Sequence, residues 1–217
     1  MVRDFSRSRD EALDGGPARI APLFPLPNVF LFPGCVMPLH IFEPRYRQMV
    51  EDLLDGPGQL VIGTFDPEQG AEHAAAPLVR PVAGIGEICR HERLPDGRFL
   101  IWIFGLARVR LREVPSQRLY RRVAVEPFSE VVPPKEREPR LRERLRKAIL
   151  SRCEAATKIP AEIPISCLAD LLLQRLALPQ PELGALFEEA DVEVRAECGL
   201  EAHEKRESNP RHRRPRA

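Results

Sequence analysis

The chain has 217 residues, with 33 lysines and arginines against 32 aspartates and glutamates, which gives a formal net charge of +1. At roughly 100–200 residues per domain, this length allows one domain or two small ones and is sufficient to bury a core. A hydrophobic fraction of 43% and a charged fraction of 30% are typical of a globular protein and exclude a collagen-like or largely disordered chain.

No apolar run reaches the ~18–20 residues that a membrane span requires, and the charged N-terminus has no apolar stretch behind it. We therefore expect a cytoplasmic protein with no membrane partner. The five cysteines are far apart and form no CxxC pair, so they are expected to be free thiols rather than zinc ligands.

Two residue types are over-represented. Proline accounts for 23 residues, about twice the usual ~5%. Of the 33 basic residues only four are lysines, so 29 are arginines. Arginine suits bidentate recognition of carboxylates and phosphates, but a bias of the source genome would produce the same excess, and it is the preferred explanation.

The N-terminal region is predicted to begin with a disordered arm over residues 1–19, which are polar and end in Gly-Gly-Pro. Structure should start at Ile20. Residues 23–34 then contain two short apolar runs bracketed by prolines, which is typical of strand ends, edges or bulges. Residues 29–32 are apolar at every position, so both faces of this strand are expected to be covered.

One clear helix is predicted early in the chain. Pro44 is suited to the first helical position, where its missing N–H has no partner to lose. One apolar face follows at helical spacing, and residues 55–58 should end the helix. That face comprises Phe42, Tyr46, Met49, Val50, Leu53 and Leu54.

Residues 59–128 are predicted to form strands. Short strands are expected at 60–65 and 120–128, and two long ones at 79–92 and 98–114 flank a Leu-Pro-Asp-Gly turn. Within the second long strand, residues 99–104 are apolar throughout and should be fully buried. Beyond them the pattern alternates, which places Arg108, Arg110 and Arg112 on a solvated face.

From residue 131 the pattern becomes helical, with three helices predicted at about 141–156, 165–178 and 182–203. Strands followed by helices indicate an α+β protein. The expected organisation is a disordered arm over 1–19, a β-barrel-like subdomain over 20–130, a helical subdomain over 131–204 and a basic disordered tail over 205–217.

The sequence offers no recognisable catalytic constellation. No Gly-Lys dipeptide occurs, so a phosphate-binding loop is excluded, and no catalytic, cofactor-binding or metal-ligating residue is predicted. Gly84 and Gly86 form an isolated Gly-x-Gly, best interpreted as a bend with close backbone approach. His40 is expected to be a core or turn histidine, and Glu43 to cap the helix or pair with Arg45.

Three segments resemble one known family. Residues 23–34 and the PLHIFEPRY motif at 38–46 closely resemble the opening of the Lon protease N-terminal domain. Residues 96–109 resemble that family's later hairpin, and residues 168–172 are similar to one of its helices. The resemblance covers roughly 20–203 and implies a PUA-like pseudo β-barrel with one early helix, followed by a C-terminal helical bundle.

In full-length Lon, this region helps to capture unfolded or damaged proteins and supports hexamer assembly. The ATPase and protease modules have no counterpart in this sequence, so the resemblance implies a stand-alone substrate-binding domain that is not an enzyme. The motif residues are then expected to be structural; they are His40, Glu43, Pro44, Arg45 and Tyr46.

The preferred function is a non-catalytic module, adaptor or holdase-like, that recognises exposed apolar segments of unfolded or damaged polypeptides. Apolar runs on both strand faces need either a cover or a partner, and the C-terminal helices are the alternative cover. An ATP-dependent protease is a further candidate partner, and the oligomeric state is open. The candidate binding residues are Phe30, Phe32, Trp102 and Phe104.

The alternative function is RNA binding by a PUA-like module, through the Arg108, Arg110 and Arg112 strand face and the basic tail. A net charge of +1 and the lack of interleaved aromatic residues count against a nucleic-acid partner. A third possibility is an enzyme with an unrecognised site, which no residue pattern supports.

Overall fold

The structure, a computed structural model, describes residues 19–66, 77–152, 159–160 and 162–207. The chain divides into two compact units, Met1–Phe128 and Ser129–Ala217. Most of the predicted N-terminal arm and of the predicted basic tail lies outside the described residues, as do residues 67–76 and, in the first predicted C-terminal helix, Cys153 and Ala156.

Among the described residues, the first unit contains six strands and one helix, and the second contains four helices. The strands are β1 (Arg19–Leu26), β2 (Val36–Ile41), β3 (Gln59–Thr64), β4 (Val82–Arg93), β5 (Phe99–Val114) and β6 (Arg122–Pro127). The helices are α1 (Pro44–Leu54), α2 (Glu138–Leu150), α3 (Ile165–Arg175), α4 (Gln180–Glu188) and α5 (Val192–Glu207). Apart from α1, the described strands precede the described helices, and the predicted α+β class is confirmed.

The six strands form one mixed sheet in the order β2-β5-β4-β3-β1-β6. Only β1 and β3 run parallel, and the connection between them contains β2 and α1. The long strand β5 pairs with β2 over residues 99–104, with β4 over residues 99–110 and with β6 over residues 109–114. Because of this order, β2 is an edge strand of the described sheet.

Helix α1 begins at Pro44, as predicted, and lays one apolar face on the sheet. Tyr46, Met49, Val50 and Leu53 are buried there among residues of β1, β3, β4 and β5. The ring of Tyr46 lies 4.3 Å from that of Phe24, centroid to centroid. Two members of the predicted face, Phe42 and Leu54, are exposed instead.

Residues 29–32 were expected to be a strand, and this prediction is wrong: they belong to the loop between β1 and β2. The loop packs directly on the sheet, with Leu31 completely buried. A Cβ on Gly84 would lie 2.8 Å from Leu31 Cβ, and one on Gly86 2.7 Å from Leu31 Cδ2. The Gly-x-Gly motif therefore provides the close backbone approach that was predicted.

Residues 99–104 were predicted to be buried on both faces, and this is also incorrect. Phe99, Ile101 and Ile103 are buried in the core beneath α1, whereas Leu100, Trp102 and Phe104 are only half-buried on the opposite face. The apolar sequence is the same on both sides of the strand, so its periodicity carries no information about which side is covered.

In the second unit, α2, α3 and α5 pack on one another around apolar side chains such as Leu145, Leu172 and Ala196. The single helix predicted over 182–203 is in fact two helices, separated at residues 189–191. Asp191 ends the gap as a helix cap, because its Oδ1 accepts the N–H groups of Glu193 and Val194 at 2.8 and 3.2 Å. Helix α5 continues to Glu207, past the predicted start of the tail.

A buried ion network joins elements of the second unit. Arg195 has no solvent exposure; its Nη2 donates to Glu130 Oε1 at 2.6 Å, and its Nε lies 3.1 Å from Asp170 Oδ1. Its Nη1 donates to the carbonyl of Glu189 at 2.8 Å. Arg195 thus ties α5 to α3 and to the segments that precede α2 and α5.

Candidate functional site

The main candidate site is one face of strands β2 and β5, formed by alternate residues of each strand. The register pairs Val36 with Phe104, Pro38 with Trp102 and His40 with Leu100. Directly paired residues direct their side chains to the same face, so these six form a contiguous surface, which we call the β2–β5 face.

The β2 side of this face is open to solvent. Val36 is 54% exposed, and Pro38 and His40 are also exposed. Phe42 follows His40 at the same parity and is 59% exposed, with ring centroids 5.9 Å apart. Large apolar side chains at neighbouring exposed positions are the usual mark of a contact surface.

Strand β4 adds two charged residues to the face. Arg90 pairs with Trp102 and Glu92 with Leu100 across the β4–β5 register, and both are exposed. The Arg90 guanidinium carbon lies 4.5 Å from the centroid of the Trp102 ring. A row of Pro38, Trp102 and Arg90 therefore crosses three strands, with a cation stacked on its central ring.

The structure separates the four predicted binding residues. Trp102 and Phe104 lie on the β2–β5 face, where Phe104 also packs against a core cluster of β1, β3, β4, β5 and β6. Phe30 is half-buried in the loop between β1 and β2. Phe32 is only 3% exposed and lies under Arg108, whose guanidinium carbon is 5.5 Å from its ring centroid, so Phe32 cannot contact a polypeptide here.

The sequence pattern did not point to four residues of this site, which are Val36, Pro38, Phe42 and Arg90. The available signal was the alternation within residues 36–41, where Met37, Leu39 and Ile41 turn inward. Proline within this short run concealed the strand, because proline is otherwise rare in strands.

The motif residues expected to be structural have different environments. Glu43 makes no side-chain cap to α1; it pairs with Arg45, whose Nε donates to Glu43 Oε2 at 2.9 Å. Arg45 also lies over the ring of Tyr46 at 4.6 Å, and burial raises the pKa of that tyrosine. His40 is exposed on edge strand β2, so it is neither the core nor the turn histidine expected.

The arginine stripe expected to be solvated is not formed as predicted. Arg108 is 3% exposed, whereas Arg110 and Arg112 are exposed. Arg110 lies over the ring of Phe128, with its guanidinium carbon 5.2 Å from the centroid. The proposed nucleic-acid surface therefore loses its first member, and its second is stacked on an aromatic ring.

Two cavities are further candidates for a binding site. One of about 470 Å³ lies at the loop between β5 and β6, where Arg118 approaches Asp52 at 3.5 Å. The other, of about 310 Å³, lies between α2 and α5, where Arg144 is held by both oxygens of Glu197. Arg118 and Arg144 are thus paired with carboxylates of the protein itself.

Within the described ranges, no group of three or more His, Cys, Asp or Glu side chains could hold a metal ion. None of the helices that the structure describes is long and apolar enough to cross a membrane.

Residues 20–203 match the model of a protein family described as the ATP-dependent protease La (LON) substrate-binding domain. Among curated relatives, Lon protease 2 of Desulfotalea psychrophila is 25% identical over 197 residues, which is 84% of this chain and 24% of that protein. Lon protease 2 of Sorangium cellulosum is 30% identical over 112 residues, covering 50% of this chain and 14% of that protein. The chain thus spans about a quarter or less of these relatives.

Two solved structures share the fold. A Lon N-terminal domain protein from Xanthomonas campestris superimposes with a TM-score of 0.62 at 21% identity, covering 84% of this chain and 98% of that one. The N-terminal domain of Lon protease from the Mycobacterium avium complex gives a TM-score of 0.64 at 18% identity, covering 86% and 98%.

Proposed function

The chain belongs to the family of Lon substrate-binding domains, and on that basis we propose that it binds exposed apolar segments of unfolded or damaged polypeptides through the β2–β5 face. The observation that carries the proposal is the group of exposed apolar side chains formed by Val36 and Pro38 of β2 and by Phe42 just beyond it, next to the half-buried Trp102 and Phe104. The family supports a substrate-binding role, and the exposed apolar side chains of this face offer such a substrate apolar area to bury.

The geometry favours side-chain recognition over the addition of a strand. The N–H of Gly105 donates to the carbonyl of Cys35 at 2.8 Å, so the backbone of Cys35 faces β5. Along an antiparallel pair, successive residues direct their backbone N–H and C=O groups alternately toward and away from the partner strand. By this alternation, Pro38 occupies a position whose backbone faces the free edge of β2, and proline has no N–H to offer. A peptide added as a further strand would lack a backbone hydrogen bond near its middle. We therefore infer that client polypeptides bind through side-chain contacts with the β2–β5 face.

We propose further that the module acts without catalysis, as an adaptor or holdase. The matched domain is the non-catalytic part of Lon, and the relatives that carry the name protease are several times longer than this chain. An ATP-dependent protease in the cytoplasm is the partner to which such an adaptor would deliver its client.

The test is binding of a reduced, alkylated and permanently unfolded protein, measured by calorimetry or by suppression of its aggregation. The double variant Val36→Ser, Phe42→Ser should weaken binding about tenfold or more, because each side chain loses apolar area that the client would bury. Leu119→Ser is the matched control, since Leu119 is 68% exposed in the loop between β5 and β6. That variant should bind as the unaltered protein does.

Equal binding by the double variant and the unaltered protein would show that the β2–β5 face is not the site. Failure of the unaltered protein to bind any unfolded polypeptide at several-fold molar excess would contradict the proposed function itself.

A further inference from the structure

The two arginines near the end of β4 differ in how they are paired, and of the two only Arg90 is on the β2–β5 face. Arg93, the last residue of β4, forms an ion pair with Glu51 at 3.1 Å. Arg90 lies on the ring of Trp102, and no carboxylate among the described residues is within ion-pair distance of it. An exposed cation therefore lies at one end of the row of Pro38, Trp102 and Arg90, where a bound segment would cover it.

Covering this cation has an energetic consequence. An arginine that loses its water on binding must gain a hydrogen-bonding partner, or binding is opposed by the cost of its desolvation. A segment made only of apolar residues cannot supply that partner, whereas an aspartate or glutamate side chain can.

From this charge complementarity we propose that the β2–β5 face selects apolar segments that contain an acidic side chain, and that Arg90 binds its carboxylate. This inference rests on the proposed function and adds the class of segment that is preferred. Glu92 lies on the same face and repels the same carboxylate, so the acidic residue of the client should lie at the Arg90 end of the row.

The stacking of Arg90 on Trp102 suits it to this role. A guanidinium keeps its planar fork of N–H donors while one of its faces rests on an aromatic ring, and the fork matches a carboxylate in bidentate geometry. The ring also restricts the side chain, so that less conformational freedom is lost when the carboxylate binds. Lysine at this position would retain the charge without the fork.

The experiment uses the whole chain and two synthetic peptides with blocked ends. They share a sequence of Leu, Phe and Ala and differ only at one central position, which is Asp in the first peptide and Asn in the second. Trp102 is the only tryptophan in the chain, so its fluorescence reports binding at this face, and calorimetry supplies the affinities. We expect the Asp peptide to bind about fivefold more tightly than the Asn peptide.

Four variants separate the contributions. Arg90→Gln should remove the preference for Asp, so that the two peptides bind equally well, and Arg90→Lys should retain only part of the preference. Glu92→Gln should increase the preference, because it removes a like charge. Arg93→Gln is the matched control on the same strand and should leave the preference unchanged, since Arg93 is already paired with Glu51.

Equal affinity of the unaltered protein for the two peptides would overturn the inference and leave the proposed function intact. A preference that survives in Arg90→Gln would also overturn it, because another group would then bind the acid. If neither peptide bound or changed the Trp102 fluorescence, the proposed function would fail together with the inference.

Discussion

Arginine side chains in this protein act largely through their planar shape. Arg121 donates to both oxygens of Glu113 at 2.8 and 2.6 Å and also to the carbonyl of Pro77. Arg45, Arg90 and Arg110 lie over aromatic rings. Lysine can form neither the bidentate pair nor the flat stack equally well. Many of the 29 arginines therefore have structural uses, whatever the composition of the source genome.

The buried arginine of the second unit leads to a prediction about stability. Arg195→Met should lower the free energy of unfolding by about 3–5 kcal/mol, because Asp170 and Glu130 would keep their charges without the buried partner. Denaturant unfolding would measure the loss. The control is Arg144→Met, which removes a half-exposed pair with Glu197 and should cost about 1 kcal/mol or less. Equal losses in the two variants would contradict the importance of the buried network.

Tyr120 gives a prediction about alkaline pH. Burial, followed by the hydrogen bond from its hydroxyl to Asp52 Oδ2 at 2.8 Å, raises the pKa of Tyr120 from 10.0 to about 12. Between these two pH values the folded state retains a proton that the unfolded state has released, so stability should fall as pH rises through this window. Denaturant unfolding at a series of pH values would show the fall, and phenolate absorbance would follow the ionisation.

Tyr120→Phe is the control for that window. The variant should lose about 1 kcal/mol at neutral pH, where only the hydrogen bond to Asp52 is removed. It should also show a shallower decline of stability between pH 10 and pH 12 than the unaltered protein. An identical decline would mean that other groups cause it.

At the scale of elements, the loop of residues 29–32 is held by contacts with three strands. The hydroxyl of Thr64 in β3 donates to the carbonyl of Val29. A Cβ on Gly105 in β5 would run into the carbonyl of Phe32, and one on Gly84 in β4 into that of Leu31. The glycines of β4 and β5 thus leave the space into which the backbone of this loop packs.

The close approach of Leu31 to Gly84 predicts that Gly84→Ala will be strongly destabilising. The added methyl group meets the backbone of Leu31, which cannot move aside as a flexible side chain would, so the loss should be at least about 1–3 kcal/mol. Gly56→Ala is the control, because the only neighbour within 4 Å of its Cβ would be an oxygen at 3.8 Å. That substitution should change stability by less than about 1 kcal/mol. The midpoints of denaturant unfolding would measure both changes in stability, provided that the free energy of unfolding depends equally steeply on denaturant concentration in the two variants.

The elements with a strong local signal were predictable, and those defined by packing were not. Helix α1 was predictable from Pro44 and its apolar spacing, and the hairpin from its turn, in which Asp96 accepts the N–H of Arg98 at 3.1 Å. The loop at 29–32 was mistaken for a strand because its burial comes from glycines far away in the sequence. The gap before α5 was missed because Asp191 resembles any polar residue on a helical face.

The candidate site was predictable only in part, for a related reason. The resemblance to Lon identified the family, which the family model confirms over residues 20–203. Trp102 and Phe104 were chosen for their apolar run, but the side of β5 that remains uncovered depends on where α1 packs. Phe32 was chosen by the same argument, although Arg108 and the loop bury it.

At the scale of the whole molecule, a net charge of +1 gives little general attraction for a polyanion such as RNA. Polypeptide binding and RNA binding should also differ in their response to salt. Apolar binding does not depend on counterion release, so the affinity for the Asn peptide should change by less than about twofold between about 50 and about 200 mM NaCl. Binding that depends on several phosphate contacts would fall by about a thousandfold or more over the same range. Titration of the Asn peptide and of a single-stranded RNA at both salt concentrations would decide, and RNA binding that falls this steeply would favour the ionic alternative.

The proline at the free edge of β2 has a consequence for the behaviour of the protein in a crowded solution. A module that collects misfolded chains is surrounded by segments prone to form cross-β assemblies, and an open strand edge beside an apolar face would template their growth. Pro38 interrupts the row of backbone donors that such growth requires. A protein with the function proposed above would therefore keep its β2–β5 face in contact with aggregating chains without itself becoming the first strand of a fibril.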